Sequence, residues 1–172
     1  MMSIKLLSDR LELKSLEMGD AAEMLKIRSH PEINRYISRT PPGDISEIES
    51  FIQRIHLLEA AGSTLFWTIR LKHTDNILGT ICLWNINKEK MKAEVGYELL
   101  PKYQGMGYMS EALAVVLNAG FDEFSFEEIS AYTNRQNEAS VRLLEKMEFV
   151  HDPGIIDEDF PSNDVYIKRK KQ

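Results

Sequence analysis

Between Lys92 and Phe121 the hydrophobic period of the chain changes once. KAEVGYELL (92–100) is a strand-like run that stops at Pro101, after which Leu113, Val116, Leu117 and Phe121 fall on one side of a helix. The join is YQGMGYM (103–109), with two glycines two apart and no aspartate or asparagine beside them. EEISAYTN (127–134) reads as a strand on the far side of that helix. A strand, a crossover helix and a strand make a parallel pair, which places the chain among mixed α/β folds.

The remaining elements build around that unit. Ile4 to Leu13 alternates like a strand, and GDAAEMLKIRS (19–29) predicts a helix with Asp20 as N-cap and Glu23 three residues on. Pro41-Pro42-Gly43 breaks the chain. Ile45, Ile48, Phe51, Ile52, Ile55 and Leu58 then repeat at helical spacing until Gly62. TLFWTIRL (64–71) and NILGTICLWNI (76–86) are strands joined through His73 to Asn76 and followed by KAEVGYELL as the next. NEASVRLLEKM (137–147) predicts a short helix capped by Asn137, and two strands near Glu148–Asp152 and Val165–Lys170 close the chain. The expected order is β-α-α-β-β-β-α-β-α-β-β, one domain over 1–172.

Composition removes several function classes. With 172 residues, 43% hydrophobic and 28% charged, the chain can bury a core and is not of the disordered type. No apolar run approaches the roughly 18 residues of a spanning helix, and Met1-Met2-Ser3-Ile4-Lys5 lacks the regions of a signal peptide, so a cytoplasmic protein without membrane contact is expected. The single cysteine, Cys82 in LGTICLW, reads as a buried small hydrophobe rather than a nucleophile. His30, His56, His73 and His151 show no paired metal spacing, so metal dependence is not expected. A net charge of −6 argues against direct nucleic-acid binding and mildly favours a cationic partner, the basic tail Lys168 to Lys171 reading as a solvated strand end.

The glycine pair has its own physics. A helix start leaves backbone N–H groups without intrahelical partners and carries about half a positive charge, so it attracts phosphate. Gly105 and Gly107 remove side chains that would keep a diphosphate from those donors. No Gly-Lys-Ser or Gly-Lys-Thr follows, and the third glycine of a dinucleotide fingerprint would fall at Ser110.

AEVGYELLPKYQGMGYMSEAL, followed by NRQNEASVRLLEKMEF, resembles the Gcn5-related N-acetyltransferase (GNAT) superfamily, and within it the RimJ/RimL-like branch that acetylates the N-termini of ribosomal proteins. The signature of Gln or Arg, two residues, Gly, one residue, then Gly or Ala matches Gln104 and Gly107 and departs at Met109. In the second block Asn137, Ser140 and Phe149 match, while Glu148 replaces a glycine. DRLELKSLEMGDAAEML and SHPEINRYI are similar to the same branch, so the likeness covers nearly the whole chain. It implies a GNAT fold: a mixed, mostly antiparallel twisted sheet flanked by helices and splayed between its fourth and fifth strands. It implies acetyl-CoA as cosubstrate in the splay, its pantetheine arm pairing near Glu98, Leu99 and Leu100. The diphosphate is then expected on the N–H groups of Gln104, Gly105, Met106, Gly107, Tyr108 and Met109, with Asn134 and Asn137 also on the cofactor side. A backbone N–H in a bulged fourth strand, near Leu99, would face the developing negative charge.

Because the thioester is already activated, position and proton handling are what the site must supply. Glu94 and Glu98 compete as general base, and without a bulge between them they share a strand face. Leu144 stands where many relatives carry the tyrosine that reprotonates the thiolate, which leaves Ser140 as candidate acid. Arg35 and Tyr36 border the cleft by resemblance, and Asp157, Glu158 and Asp159 could meet a cationic acceptor or form a solvated loop. The acceptor implied is a primary amine, foremost a protein or ribosomal-protein N-terminus. A polyamine, amino sugar or amino acid, a non-catalytic acyl-CoA sensor and a ribosome-bound structural role stay open, as do monomer and homodimer.

Overall fold

The computed structural model describes residues 4–172; Met1 to Ser3, on which part of the leader reading rests, lie outside the described residues. Eight strands form one sheet in the order β1-β2-β3-β4-β5-β6-β8-β7. They are β1 (Leu6–Leu7), β2 (Leu11–Ser15), β3 (Leu65–Leu71), β4 (Ile77–Asn87), β5 (Lys92–Leu99), β6 (Glu128–Asn134), β7 (Val150–His151) and β8 (Asn163–Arg169). All neighbours are antiparallel except β5 and β6, the pair on either side of the crossover. The helices are α1 (Ala21–Arg28), α2 (Pro31–Asn34), α3 (Ile45–Ala60), α4 (Tyr108–Asn118) and α5 (Glu138–Lys146). Among the described residues no helix is long and apolar enough to cross a membrane.

Two cores lie on opposite faces of the sheet. On one, Met109, Ala112, Leu113, Val116 and Leu117 of α4 pack against Leu65, Trp67, Ile69, Ile81, Leu83 and Val95. On the other, Met24 and Ile27 of α1 and Ile48, Ile52 and Ile55 of α3 cover Phe66 and Ile77. β3 is buried on both faces, and its two polar residues, Thr68 and Arg70, are enclosed with hydrogen-bond partners. The amphipathic spacing seen in α3 holds, and Asp44 caps it by accepting from the Glu47 N–H at 3.1 Å.

Four local expectations are corrected. The first strand is two strands, because Ser8-Asp9-Arg10 turns the chain: the Ser8 N–H donates to the Leu11 carbonyl, and the Leu11 N–H to Ser8 Oγ, each at 3.0 Å. Asp20 holds the N-cap position of α1, but its side chain makes no cap bond there. It ends a 3₁₀ turn in helical conformation, its carboxylate accepting from the Glu17 N–H at 2.9 Å and pairing with Arg70 at 2.7 Å. α2, one turn opened by Pro31 and His30, is too short to show as a period. The bulge expected in the strand carrying Glu94 and Glu98 is absent there. β5 pairs one-for-one with β4 from Glu94 to Leu99, and the extra residue lies in β4 between Trp84 and Asn87.

The glycine missing from the second block leaves a measurable trace. Glu148 has φ +63, in the left-handed region that disfavours a side chain, and its carboxylate pairs with Lys168 and Lys171 at the surface. Glu148→Gly is expected to raise stability by about 1 kcal/mol, the relieved backbone outweighing two exposed ion pairs. Chemical denaturation would detect the shift, and a loss of stability would mean the ion pairs dominate.

Candidate active site

β5 and β6 pair only at Lys92, Ala93 and Glu94, opposite Glu128, Ile129 and Ser130, although β5 runs on to Leu99 and β6 to Asn134. Beyond Glu94 the strands part. A cleft of about 1920 Å³ opens there, reaching from α2 and α3 on one face to the starts of α4 and α5 on the other. Leu100 donates its N–H to the Leu78 carbonyl, so in the antiparallel alternation the N–H and C=O of Tyr97 and Leu99 point away from β4, toward the gap. The Leu99 carbonyl accepts from Gln104 Nε2 at 2.9 Å. Strand parity thus turns the Leu99 N–H into the splay without a bulge, and Leu100, bonded to β4, offers no free N–H.

The glycine segment lies at the same opening. Gly105 and Gly107 have φ +76 and +79, and α4 starts at Tyr108. The first bond that closes onto this turn runs from the Glu111 N–H to the Gly107 carbonyl, which leaves the earlier N–H groups of the helix start free to meet an anion. The two glycines do different work. A Cβ on Gly105 would meet nothing within 4 Å, whereas one on Gly107 would stand 3.3 Å from Arg10 Nη2. Arg10 braces the segment from behind: Nη1 donates to the Met106 carbonyl at 3.0 Å, Nε pairs with Glu111 at 2.8 Å, and the guanidinium lies 4.4 Å from the centre of the Tyr108 ring. Ser8 Oγ donates to the same Glu111 carboxylate at 2.6 Å. The Met109 side chain is in the core, so only its backbone can serve the site, and Met106 is half exposed. Asn137 caps α5 by accepting from the Ser140 N–H, and Asn134 accepts from the Gln136 N–H. An extended diphosphate thioester fits this cradle, with open space before Gly105 and unpaired donors behind it.

The two glutamates share the strand face turned toward α1–α3 but differ in surroundings. Glu94 sits at the point of splay and accepts from Asn85 Nδ2 at 2.7 Å. Burial pushes its carboxyl pKa up, opposed by the Asn85 bond and reinforced by nearby Asp157. The β4 bulge delivers that bond, since Asn85 takes φ +48 and is re-aimed across the strand. Glu98 is closed in. Arg39 Nη1 holds Oε1, Arg28 Nη1 lies 4.0 Å from it, and Oε2 is buried without a hydrogen-bond partner. Neither oxygen of Glu98 is open to an incoming amine.

On the opposite face Ser140 is 8% exposed, and its hydroxyl is hydrogen-bonded to the Tyr97 hydroxyl at 2.7 Å. Burial pushes the Tyr97 phenol up to about 12, so it keeps its proton. Tyr97 was not among the residues the motifs point to. Its signal was strand alternation: Ala93, Val95, Tyr97 and Leu99 share the apolar face, and one of them carries a hydroxyl. Leu144 is fully buried. Cys82 also lines the cleft, but burial pushes its thiol up to about 12, which suits packing and not nucleophilic attack. Arg35, Tyr36 and the acidic run Asp157 to Asp159 line the cleft.

A mixed sheet splayed at its parallel pair, with a glycine-bearing helix start in the splay, is the architecture of a GNAT acetyltransferase. The profile described as "Acetyltransferase (GNAT) domain" matches residues 10–150; the chain belongs to this family and is an acetyl-CoA-dependent N-acetyltransferase. It is 33% identical over 144 residues to the uncharacterized N-acetyltransferase p20 of Bacillus licheniformis, covering 84% of this chain and 81% of that protein. It is 32% identical over 142 residues to the uncharacterized N-acetyltransferase YoaA of Bacillus subtilis, covering 83% and 80%. Among solved structures, RimL, a ribosomal L7/L12 α-N-protein acetyltransferase in complex with coenzyme A, superposes with TM-score 0.84 at 17% identity over 95% of this chain and 96% of that one. A GNAT-family acetyltransferase from Bacillus anthracis gives 0.82 at 21% over 96% and 98%.

Proposed function

We propose that the chain transfers the acetyl group of acetyl-CoA to the α-amino group at the N-terminus of a protein or peptide, in the manner of the RimJ/RimL-like branch. The observation that carries this reading is Glu94, a carboxylate of raised proton affinity at the point of splay, on the same strand as the free Leu99 N–H. An α-amine has a pKa near 8, so a base of this strength, acting through water, suffices to remove its proton near neutrality. The volume of the cleft and the fold likeness to RimL support a peptide chain as acceptor.

Each residue then has a task. Glu94 receives the amine proton. The Leu99 N–H stabilises charge developing on the carbonyl oxygen. Ser140, backed by the protonated Tyr97, returns a proton to the departing sulfur. The N–H groups from Gly105 to Met109 hold the diphosphate, and Gln104 fixes their loop to Leu99. Glu98 keeps Arg39 and Arg28 in place and is a positioning residue.

CoA at about 100 times its dissociation constant is expected to stabilise the protein by about 2.7 kcal/mol, read as a thermal shift. Thiol release from acetyl-CoA with a panel of N-terminal peptides, polyamines and amino sugars identifies the acceptor class. Turnover of polyamines or amino sugars alone would overturn the peptide reading. A CoA shift with no turnover on any amine would make the chain an acyl-CoA sensor.

A further inference from the structure

One part of the cleft wall carries positive charge that the fold compensates only in part. Arg28 and Arg39 share a single carboxylate there, Glu98, and Arg54 adds a third positive charge that acts on Arg28. Arg39 is satisfied: Nη1 bonds Glu98 and Nε donates to Asn34 Oδ1 at 2.8 Å. Arg28 is not. Its side chain is only 18% exposed and stacks 3.9 Å from the centre of the Phe51 ring. Its nearest carboxylate oxygen is the one 4.0 Å away, beyond hydrogen-bond reach, and among the described residues its guanidinium makes no hydrogen bond. Arg54 approaches the same ring at 5.4 Å and is exposed.

That condition is unlike that of Arg70, another enclosed guanidinium. Arg70 donates to Thr68 Oγ1, the Asp75 carbonyl and Asp20, as a buried cation must. Burial and the two neighbouring arginines, opposed by Glu98, push the Arg28 pKa down to about 10, so it stays charged at neutral pH while the one carboxylate near it is hydrogen-bonded to Arg39 instead. Its donors line the cleft and present a planar fork suited to carboxylate or phosphate.

We propose that Arg28, flanked by Arg54, is the receptor for an oxyanion carried by the amine acceptor, so that the substrate is an amine bearing its own carboxylate or phosphate. This rests on the acetyltransferase reading and on Glu94 as the amine end of the cleft. Glu98 lies four positions along the strand from Glu94, a Cα span of about 13 Å that the long arginine side chains shorten. The anion therefore sits within a few residues of the amine, within reach of an acidic side chain near the start of an N-terminal peptide. The cleft is bipolar, with Glu94 and Asp157 at the amine end and Arg28 and Arg54 at the other. A polyamine, cationic at both ends, matches neither the second end nor its free donors.

The test is binding to CoA-saturated protein, measured by calorimetry with matched tripeptide amides: Ala-Asp-Ala against Ala-Asn-Ala, and the same pair with phosphoserine against serine. The acidic member of at least one pair is expected to bind at least about tenfold tighter, as a charge-assisted fork would give, and the pair that shows it separates carboxylate from phosphate. Arg28→Gln is expected to erase the preference. Arg54→Gln, at an exposed position where folding is not in question, is expected to reduce it several-fold. Equal affinity within both pairs, no binding of any peptide, or a preference that survives in both variants overturns the proposal. Failure of the wild-type protein to bind CoA would instead overturn the acetyltransferase reading, so the two failures are told apart.

Discussion

Gly107→Val is expected to lower CoA affinity at least about 100-fold while the protein remains folded. The cause is the backbone more than a side chain in the diphosphate's path. Gly107 has φ +79, which a β-branched residue adopts only at a cost of about 1–2 kcal/mol. The added Cβ would also press on Arg10 Nη2, which stands 3.3 Å from that point and belongs to the guanidinium holding the Met106 carbonyl. Either relief, rotation of the backbone or withdrawal of Arg10, turns the N–H groups of the helix start out of convergence. Several charge-assisted hydrogen bonds at roughly 1.5–3 kcal/mol each are then at stake. Gly107→Asn is the companion variant, since asparagine tolerates the left-handed region and should retain more affinity than valine. Calorimetry with CoA and a denaturation curve for each protein separate binding from folding. Unchanged affinity in a folded Gly107→Val protein would place the diphosphate elsewhere.

Glu94→Gln should reduce kcat/KM by about 100-fold near pH 7, with the loss shrinking as pH rises past the acceptor's pKa. Burial raises the pKa of Glu94, so its deprotonation limb lies above the ordinary carboxylate range. Below that limb the wild-type base is itself protonated and the variant loses little by comparison. Between the limb and the amine pKa the base is ionised while the amine is not yet free, and there the two proteins differ most. Ser140→Ala should show the opposite trend, the deficit growing at high pH where solvent protons are scarce. Glu98→Gln should raise KM with kcat little changed, because it loosens Arg39 and Arg28 in ground state and transition state alike. A pH-independent loss at Glu94, together with a pH-dependent one at Glu98, would exchange their roles.

How far these residues were legible in the sequence depended on how local their determinants are. α3, α4 and β3 to β6 appear within a residue or two of where period and turn residues predict them, because each buries one face, or both, along its whole length. Asp20 stands at the expected N-cap without a side-chain cap bond, and for a tertiary reason. Arg70, fifty positions away, draws its carboxylate, and no capping pattern contains that information. The bulge was assigned to the wrong strand because its consequence, a free N–H at Leu99, follows from strand parity alone. Glu94, Ser140 and the glycine pair were visible as motif positions. Tyr97, Asn85, Arg10 and Arg28 were not, since each acquires its meaning from a partner on another element.

The brace behind the glycine segment has a temporal side. Arg10 and Glu111 are 101 positions apart, and Ser8 and Glu111 are 103. On a ribosome adding about 5–20 residues each second, Arg10 waits roughly 5–20 seconds for its carboxylate partner to be made. Until then the turn between β1 and β2 has nothing to hold, and the segment it will brace does not exist. Competence to bind CoA is therefore a late acquisition of the nascent chain, arriving only when the segment around Arg10 closes onto one made about a hundred residues later. A stalled chain released before Glu111 emerges should carry a paired sheet edge but no anion cradle.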